Sequence, residues 1–292
     1  MKKYLAFEKI LATIDAERPD WIDELTELER EAEVCMQGKT YELKDHIEKM
    51  ILAMLSCQRR WQDLVPYIEN GDISAAFCNF DPEILKKTTS DTLYRSVTEH
   101  NCGNRRIDKQ VEVLAFDIGV LESMFQDNVY DIKHGFYSLT HNSDGSHNID
   151  GIIKLIQLLA EGKSQDYSDA AKYKLKEMGV ALVCEYLKGF GVNVVKPDTH
   201  VRRILGNLGY SKKQGKDASV YEAIKICDEI ANEYSSELSK RTSILPPAIL
   251  VDTIIWQYGA EEKAEICTKK NPKCSVCKAQ RDCYHYKAVN GV

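Results

Sequence analysis

The chain has 292 residues, 43% of them hydrophobic, with 39 basic against 45 acidic side chains and a formal net charge of −6. That is enough apolar material to bury a core in two compact domains, and an acidic balance that argues against a partner held by bulk positive charge. The opening stretch MKKYLAFEKILATIDAERPDW meets Glu8, Asp15 and Glu17 too early for a signal peptide or a membrane span, so a cytoplasmic protein without a membrane partner is expected.

Taken in chain order, the periodicity is helical almost throughout. In YELKDHIEKMILAMLSCQ the apolar positions Leu43, Ile47, Ile51, Leu52, Met54 and Leu55 fall near helical spacing and thicken toward the end, as in a helix that becomes buried. The stretches IDGIIKLIQLLAEG and SVYEAIKICDEIANEYSSEL repeat the pattern. HNSDGSHN and GYSKKQGKDAS read as loops, and LPPA, from Leu245 to Ala248, starts a helix with proline in its first turn. Sustained β-branched alternation is absent, so the fold class is all-α. Ten cysteines in a reducing compartment should be thiols or metal ligands. Six of them (Cys35, Cys57, Cys78, Cys102, Cys184 and Cys227) stand singly among apolar residues and are expected to fill core.

The other four crowd the C-terminal end in CTKKNPKCSVCKAQRDC, at Cys267, Cys274, Cys277 and Cys283. Four thiolates at this spacing suit a [4Fe-4S] cluster, one thiolate to each iron, and they suit tetrahedral zinc nearly as well. The same segment holds Lys269, Lys270, Lys273, Lys278 and Arg281 against Asp282 alone, the charge of a loop that faces phosphate. Upstream, in VVKPDTHVRRILGNLG, Asp198 follows Pro197 and precedes an apolar pattern through Val201, Ile204, Leu205 and Leu208. This predicts Asp198 as a helix N-cap, where the helix end stabilises its charge.

The cysteine spacing at the end of an all-helical chain resembles the iron-sulfur loop of the endonuclease III branch of the helix-hairpin-helix DNA glycosylases. DTHVRRIL resembles the segment that carries this family's essential aspartate, and LAMLSCQ its LLSAQ stretch, whose glutamine enters the DNA stack. The resemblance implies an all-α, two-domain fold, with a central helical domain at 42–190 and a cluster domain made of 191–292 and the N-terminal helices of 1–41. It implies a monomer that acts on double-stranded DNA carrying a lesion or modified base, lying across the groove between the domains and, in a bacterium, at the nucleoid. It further implies Asp198 as the catalytic carboxylate, Gln58 as the residue that fills the space of a flipped base, and Cys267, Cys274, Cys277 and Cys283 as ligands of a [4Fe-4S] cluster, with zinc as the alternative.

The hairpin departs from the family's L-P-G-V-G. LKGFG, from Leu187 to Gly191, leaves too few residues before Asp198 for a second helix. LKEMGVALVCEYL has the distance but keeps only Gly179, with Glu177 where the first glycine would stand. The preferred reading puts the turn at Lys176 to Gly179, the second helix at Val180 to Leu187, and DNA contacts at Lys176, Gly179, Lys269, Lys270 and Lys273. The family's lyase lysine then falls on Ala181, which implies a monofunctional glycosylase. The alternatives are a bifunctional glycosylase and abasic-site lyase using Lys176, Lys188 or Lys196, a non-catalytic DNA-structure-binding protein, and an unrelated zinc protein. The extra segment HGFYSLTHNSDGSHN, with His134, Tyr137, His141 and His147, is expected as a solvated loop.

Overall fold

The computed structural model describes residues 3–36, 39–59, 63–261 and 263–291, apart from the side chains of residues 27, 31 and 34–36. The protein is all-α, 62% helical. Among the described residues the extended pairing is limited to a single bridge, His141 to His147. No described helix is long and apolar enough to cross a membrane. The longer helices, in chain order, are α1 (Leu5–Glu17), α2 (Leu25–Met36), α3 (Leu43–Leu55), α4 (Ser90–Glu99), α5 (Ile107–Gln126), α6 (Ile149–Glu161), α7 (Val180–Lys188), α8 (Thr199–Asn207), α9 (Val220–Glu233) and α10 (Pro247–Gly259).

The chain divides into two compact units, one made of residues 1–37 with 193–292, the other of residues 38–192. In the first, α10 lies at the centre and packs against α1, α8 and α9. Its side chains Ala248, Ile249, Leu250, Val251, Ile254, Ile255 and Tyr258 are all buried, so this helix is apolar nearly all round, as a core helix must be. It begins at Pro247, and Asn193 Oδ1 accepts from the Ala248 amide at 2.7 Å, satisfying one donor of its first turn. Helix α9 opens on a capping box in which the Ser219 amide gives to Glu222 at 3.1 Å.

The second unit is built on α3, which packs against α5 and α7, with α6 against α7. The buried face of α3 is Ile47, Met50, Ile51, Met54 and Leu55, the i, i+3, i+4 set expected from its sequence. On the same face His46 is fully buried. Its Nε2 gives to the Ile132 carbonyl at 3.1 Å, so Nδ1 accepts from the Tyr186 hydroxyl at 2.6 Å. Phe190 stacks on the ring at 4.3 Å, and Phe125 and Phe136 meet it edge-on. Burial, the largest effect, pushes the His46 pKa down to about 3, so the neutral ring is a structural link between α3, α7 and the segment around Ile132.

That segment differs from the expected solvated loop. Phe136 is fully buried, Tyr137–Thr140 forms a helical turn, and only 142–146 is a fully exposed tip. The aromatic side chain of Phe136 explains the difference, since it docks the loop on the His46 cluster. The single cysteines also divide. Cys102, Cys184 and Cys227 are buried, but Cys57 and Cys78 lie in turns, just past α3 and after residues 72–76, and are only half-buried. The side chain of Cys35 lies outside the described residues.

Candidate functional site

Asp198 is the N-cap of α8. Its Oδ1 accepts from the His200 amide at 2.8 Å and from the Val201 amide at 3.1 Å, which uses one carboxylate oxygen for capping. The other oxygen, Oδ2, has no hydrogen-bond partner among the described residues, and the side chain is half-buried. The arrangement therefore keeps a fixed carboxylate with a spare acceptor. Ahead of it the Lys196 amide gives to Asp252 at 3.2 Å, which ties the approach to α8 onto α10.

The far end of the same helix meets the cysteines. Cys267, Cys274, Cys277 and Cys283 line one small pocket together with Asn207, Tyr258, Ile266, Tyr286 and others. The Asn207 side-chain amide gives to Cys267 Sγ at 3.4 Å, and the Asn207 carbonyl accepts from the Cys283 thiol at 3.2 Å. The Tyr258 hydroxyl lies 2.8 Å from Cys277 Sγ. Arg203 gives to the Cys267 carbonyl at 2.9 Å. Burial pushes the Cys267 pKa up to about 11, so this thiol carries its proton until a metal displaces it. Among the described residues no three His, Cys, Asp or Glu side chains are gathered as on a single bound ion. The four thiols line the same pocket, and an all-thiol donor set is chemically suited to an iron-sulfur group or to zinc.

The cysteine loop rests on α1. Thr13 Oγ1 accepts from the Lys278 amide at 3.0 Å, and Lys278 Nζ gives to the Ala12 carbonyl at 2.8 Å. Its other basic residues are less tied. Lys269 and Lys270 are exposed without an ion pair among the described residues. Lys273, expected in the same role, bends back to the Ala264 carbonyl at 3.2 Å and to Glu265 at 3.5 Å.

In the other unit the hairpin segment turns at Lys176 and Glu177, and α7 follows from Val180 to Lys188. The left-handed backbone is at Glu177 (φ 53°), while Gly179 is an extended N-cap with φ −72°. The acidic residue thus occupies the conformation a glycine would hold without strain. Its carboxylate pairs with Arg106, and the Lys176 amide gives to Asp117 at 2.7 Å, so both ends of the turn are pinned to α5. Lys176 is exposed with its Nζ 3.7 Å from the centre of the Phe116 ring. The amides of Gly179, Val180 and Ala181 have no acceptor among the described residues, which leaves a helix N-terminus able to take an anion. Replacing Glu177 by Gly should relieve about 1–2 kcal/mol of backbone strain and remove an acid from the turn. Thermal unfolding should show no loss of stability, and duplex binding should tighten; weaker binding would mean that Glu177 itself makes the contact.

Asp117 and His46 oppose each other in pH. Burial, only partly offset by the Lys176 amide bond, pushes Asp117 up to about 7, and its Oδ2 has no partner. A raised carboxyl stabilises the fold at low pH and loses that contribution as pH rises from the ordinary carboxylate range, near 3.8, through about 7. His46, depressed to about 3, contributes fully above about 6.5 and loses it as pH falls through that window. The two slopes cancel between about pH 4 and 6.5. Denaturant unfolding should therefore show that Asp117→Asn uncovers stability rising with pH and His46→Phe stability falling with pH. Equal slopes in both variants would contradict the assignment.

Gln58 is exposed just past the end of α3 and also has left-handed backbone, φ 55°. The end of the helix is braced beneath it. Asn104 gives to the carbonyls of Met54 at 2.8 Å and Leu55 at 3.2 Å, and Gln110 gives to Met54 at 3.0 Å. Arg59 gives to the Gly103 carbonyl at 2.6 Å and to those of Asn101 and Asp63 at 3.3 and 3.2 Å. Gln58 is thus exposed, on left-handed backbone, at a clamped turn.

The sequence reading did not single out Asn207, Tyr258, Asp117 or Asn104. Each is a polar residue whose importance lies in a partner distant along the chain, for which spacing carries no signal. No family model, curated protein or solved structure matches the chain.

Proposed function

We propose that this protein is a DNA glycosylase, probing duplex DNA and hydrolysing the bond between a flipped, damaged or modified base and its deoxyribose. The observation that carries the reading is Asp198, one oxygen of which caps α8 while the other has no partner among the described residues. As the base leaves, the sugar gains oxocarbenium character. A fixed carboxylate stabilises that charge, and its spare oxygen orients or deprotonates the attacking water. Two further features support the reading: Gln58 stands out from a braced turn, and the open amides before and within the first turn of α7 suit a DNA phosphate.

Cys267, Cys274, Cys277 and Cys283 would hold a [4Fe-4S] cluster, which supplies a covalent staple for the C-terminal loop. The resemblance of their spacing to the family's iron-sulfur loop favours this group, with zinc as the alternative. Lys269 and Lys270 on that loop then face the backbone of the DNA. Changing both to Gln should lower affinity for every duplex alike and reduce the slope of log K against log salt by about 1.8, with Lys273 adding little. Loss confined to one lesion would place the loop at base recognition.

With Ala181 at the lyase position, water completes the reaction and leaves an intact abasic strand. The test is a panel of duplex oligonucleotides, each with one lesion, mismatch or modified base, incubated with iron-loaded protein and treated with hot alkali. Scission at the altered base in at least one duplex is expected; binding without scission across a broad panel would favour a DNA-structure-binding protein.

A further inference from the structure

We propose that Asn207 is a positioning residue that couples the cysteine centre to Asp198, an inference that rests on the glycosylase and cluster reading above. The two residues terminate one helix. Asp198 caps the N-terminus of α8 and Asn207 is its last residue, so about 14 Å of hydrogen-bonded backbone separates them at 1.5 Å per residue. A short helix of this kind transmits displacement as a rigid strut.

Its cysteine end carries contacts of two kinds. The bond from the Cys283 thiol to the Asn207 carbonyl needs the thiol proton, and ligation removes it. The bond from the Asn207 side-chain amide to Cys267 Sγ survives, because a ligated thiolate can only accept and so selects the N–H edge of the amide. Asn207 is then the point at which α8 touches a ligand sulfur. On α8, Val201, Ile204 and Leu205 are buried and Arg203 holds the Gly259 and Cys267 carbonyls, while the Asn207 bond ties the end of the helix to a ligand sulfur itself. Asp198 Oδ1 moves with the amides of His200 and Val201 that it caps, and the catalytic oxygen moves with them.

A donor to a cluster sulfur also stabilises added negative charge, and this separates the proposed role from mere packing. Asn207→Asp keeps the shape of the side chain but presents an anion to the thiolates. Asn207→Leu changes the shape more and presents nothing. Purified, iron-loaded wild type and both variants should be compared for midpoint potential, rate of bleaching near 400 nm under a ferrous chelator, and single-turnover base release from a cognate duplex.

The expected order of potential is Asn, then Leu, then Asp lowest, with iron lost several-fold faster in Asn207→Asp than in wild type. Base release should fall about tenfold in both variants, while affinity for an abasic-site duplex is kept. If Asn207 only packs, Leu, the poorer fit, will be the more disturbed; that order, or potentials and bleaching rates equal to wild type, overturns the proposal and leaves the glycosylase reading standing. Wild type that is isolated with neither iron nor sulfide overturns the cluster assignment and this proposal with it.

Discussion

An Asp198→Asn protein should fold normally, bind duplex DNA with unchanged affinity, and release base roughly 10²–10⁴ times more slowly than the wild type. The substitution is chosen for what it leaves in place. Asparagine is as good an N-cap as aspartate, so the bonds from the His200 and Val201 amides persist and α8 keeps its first turn. What disappears is the charge. The developing oxocarbenium then loses its counter-ion, and the attacking water loses its base. Single-turnover base release, measured beside thermal unfolding and duplex affinity, separates these effects. Full activity would remove Asp198 from the mechanism, whereas a large fall in unfolding temperature would show that its work is capping.

The second large effect is expected from Cys274→Ala, which should abolish the 400 nm colour and loosen the C-terminal loop. From Ala260 onward the buried apolar side chains are Ala260, Ala264, Ile266 and Ala279 among the described residues. These are small, and at about 25 cal/mol per Å² they cannot offset an ordering cost of about 1–2 kcal/mol for each residue of the loop. Bonds to Thr13, Ala12 and Arg203 hold parts of the loop, and the proposed cluster would supply the remaining closure, which loss of one of four thiolates weakens. Limited proteolysis should cut the variant between residues 263 and 291 under conditions in which the native protein resists, with far-ultraviolet helicity largely kept. Iron content equal to wild type would remove Cys274 from the ligand set.

The sequence was most informative where a local rule and a tertiary need coincide. Asp198 was legible because Pro197 before it and the apolar spacing after it define a helix start, and the structure has that N-cap. Helix α7 was legible from the distance that a helix needs before Asp198, which rejected LKGFG; Gly189 is the C-cap of α7, not a hairpin turn. The hairpin's backbone was not. Gly179, the one glycine the turn keeps, is extended, and Glu177, where the family's first glycine would stand, takes the left-handed backbone with its carboxylate paired to Arg106. Lys273 was grouped with Lys269 and Lys270 by proximity in sequence, yet its long side chain turns back to the Ala264 carbonyl. The loop around Phe136 was read as solvated from its polar neighbours, and one buried ring docks it.

The claim that this chain removes bases from DNA is tested most directly by its products. Iron-loaded protein should be incubated with the lesion panel, and each reaction divided for chromatography of free base, for electrophoresis with and without alkali, and for borohydride trapping. The account predicts one free base for each abasic strand in at least one duplex, strand breaks only after alkali, and no covalent protein-DNA adduct. Efficient trapping that is lost on changing Lys176, Lys188 or Lys196 would contradict water as the nucleophile, and a cluster-bearing protein that binds the panel yet frees no base from any duplex would contradict the glycosylase itself.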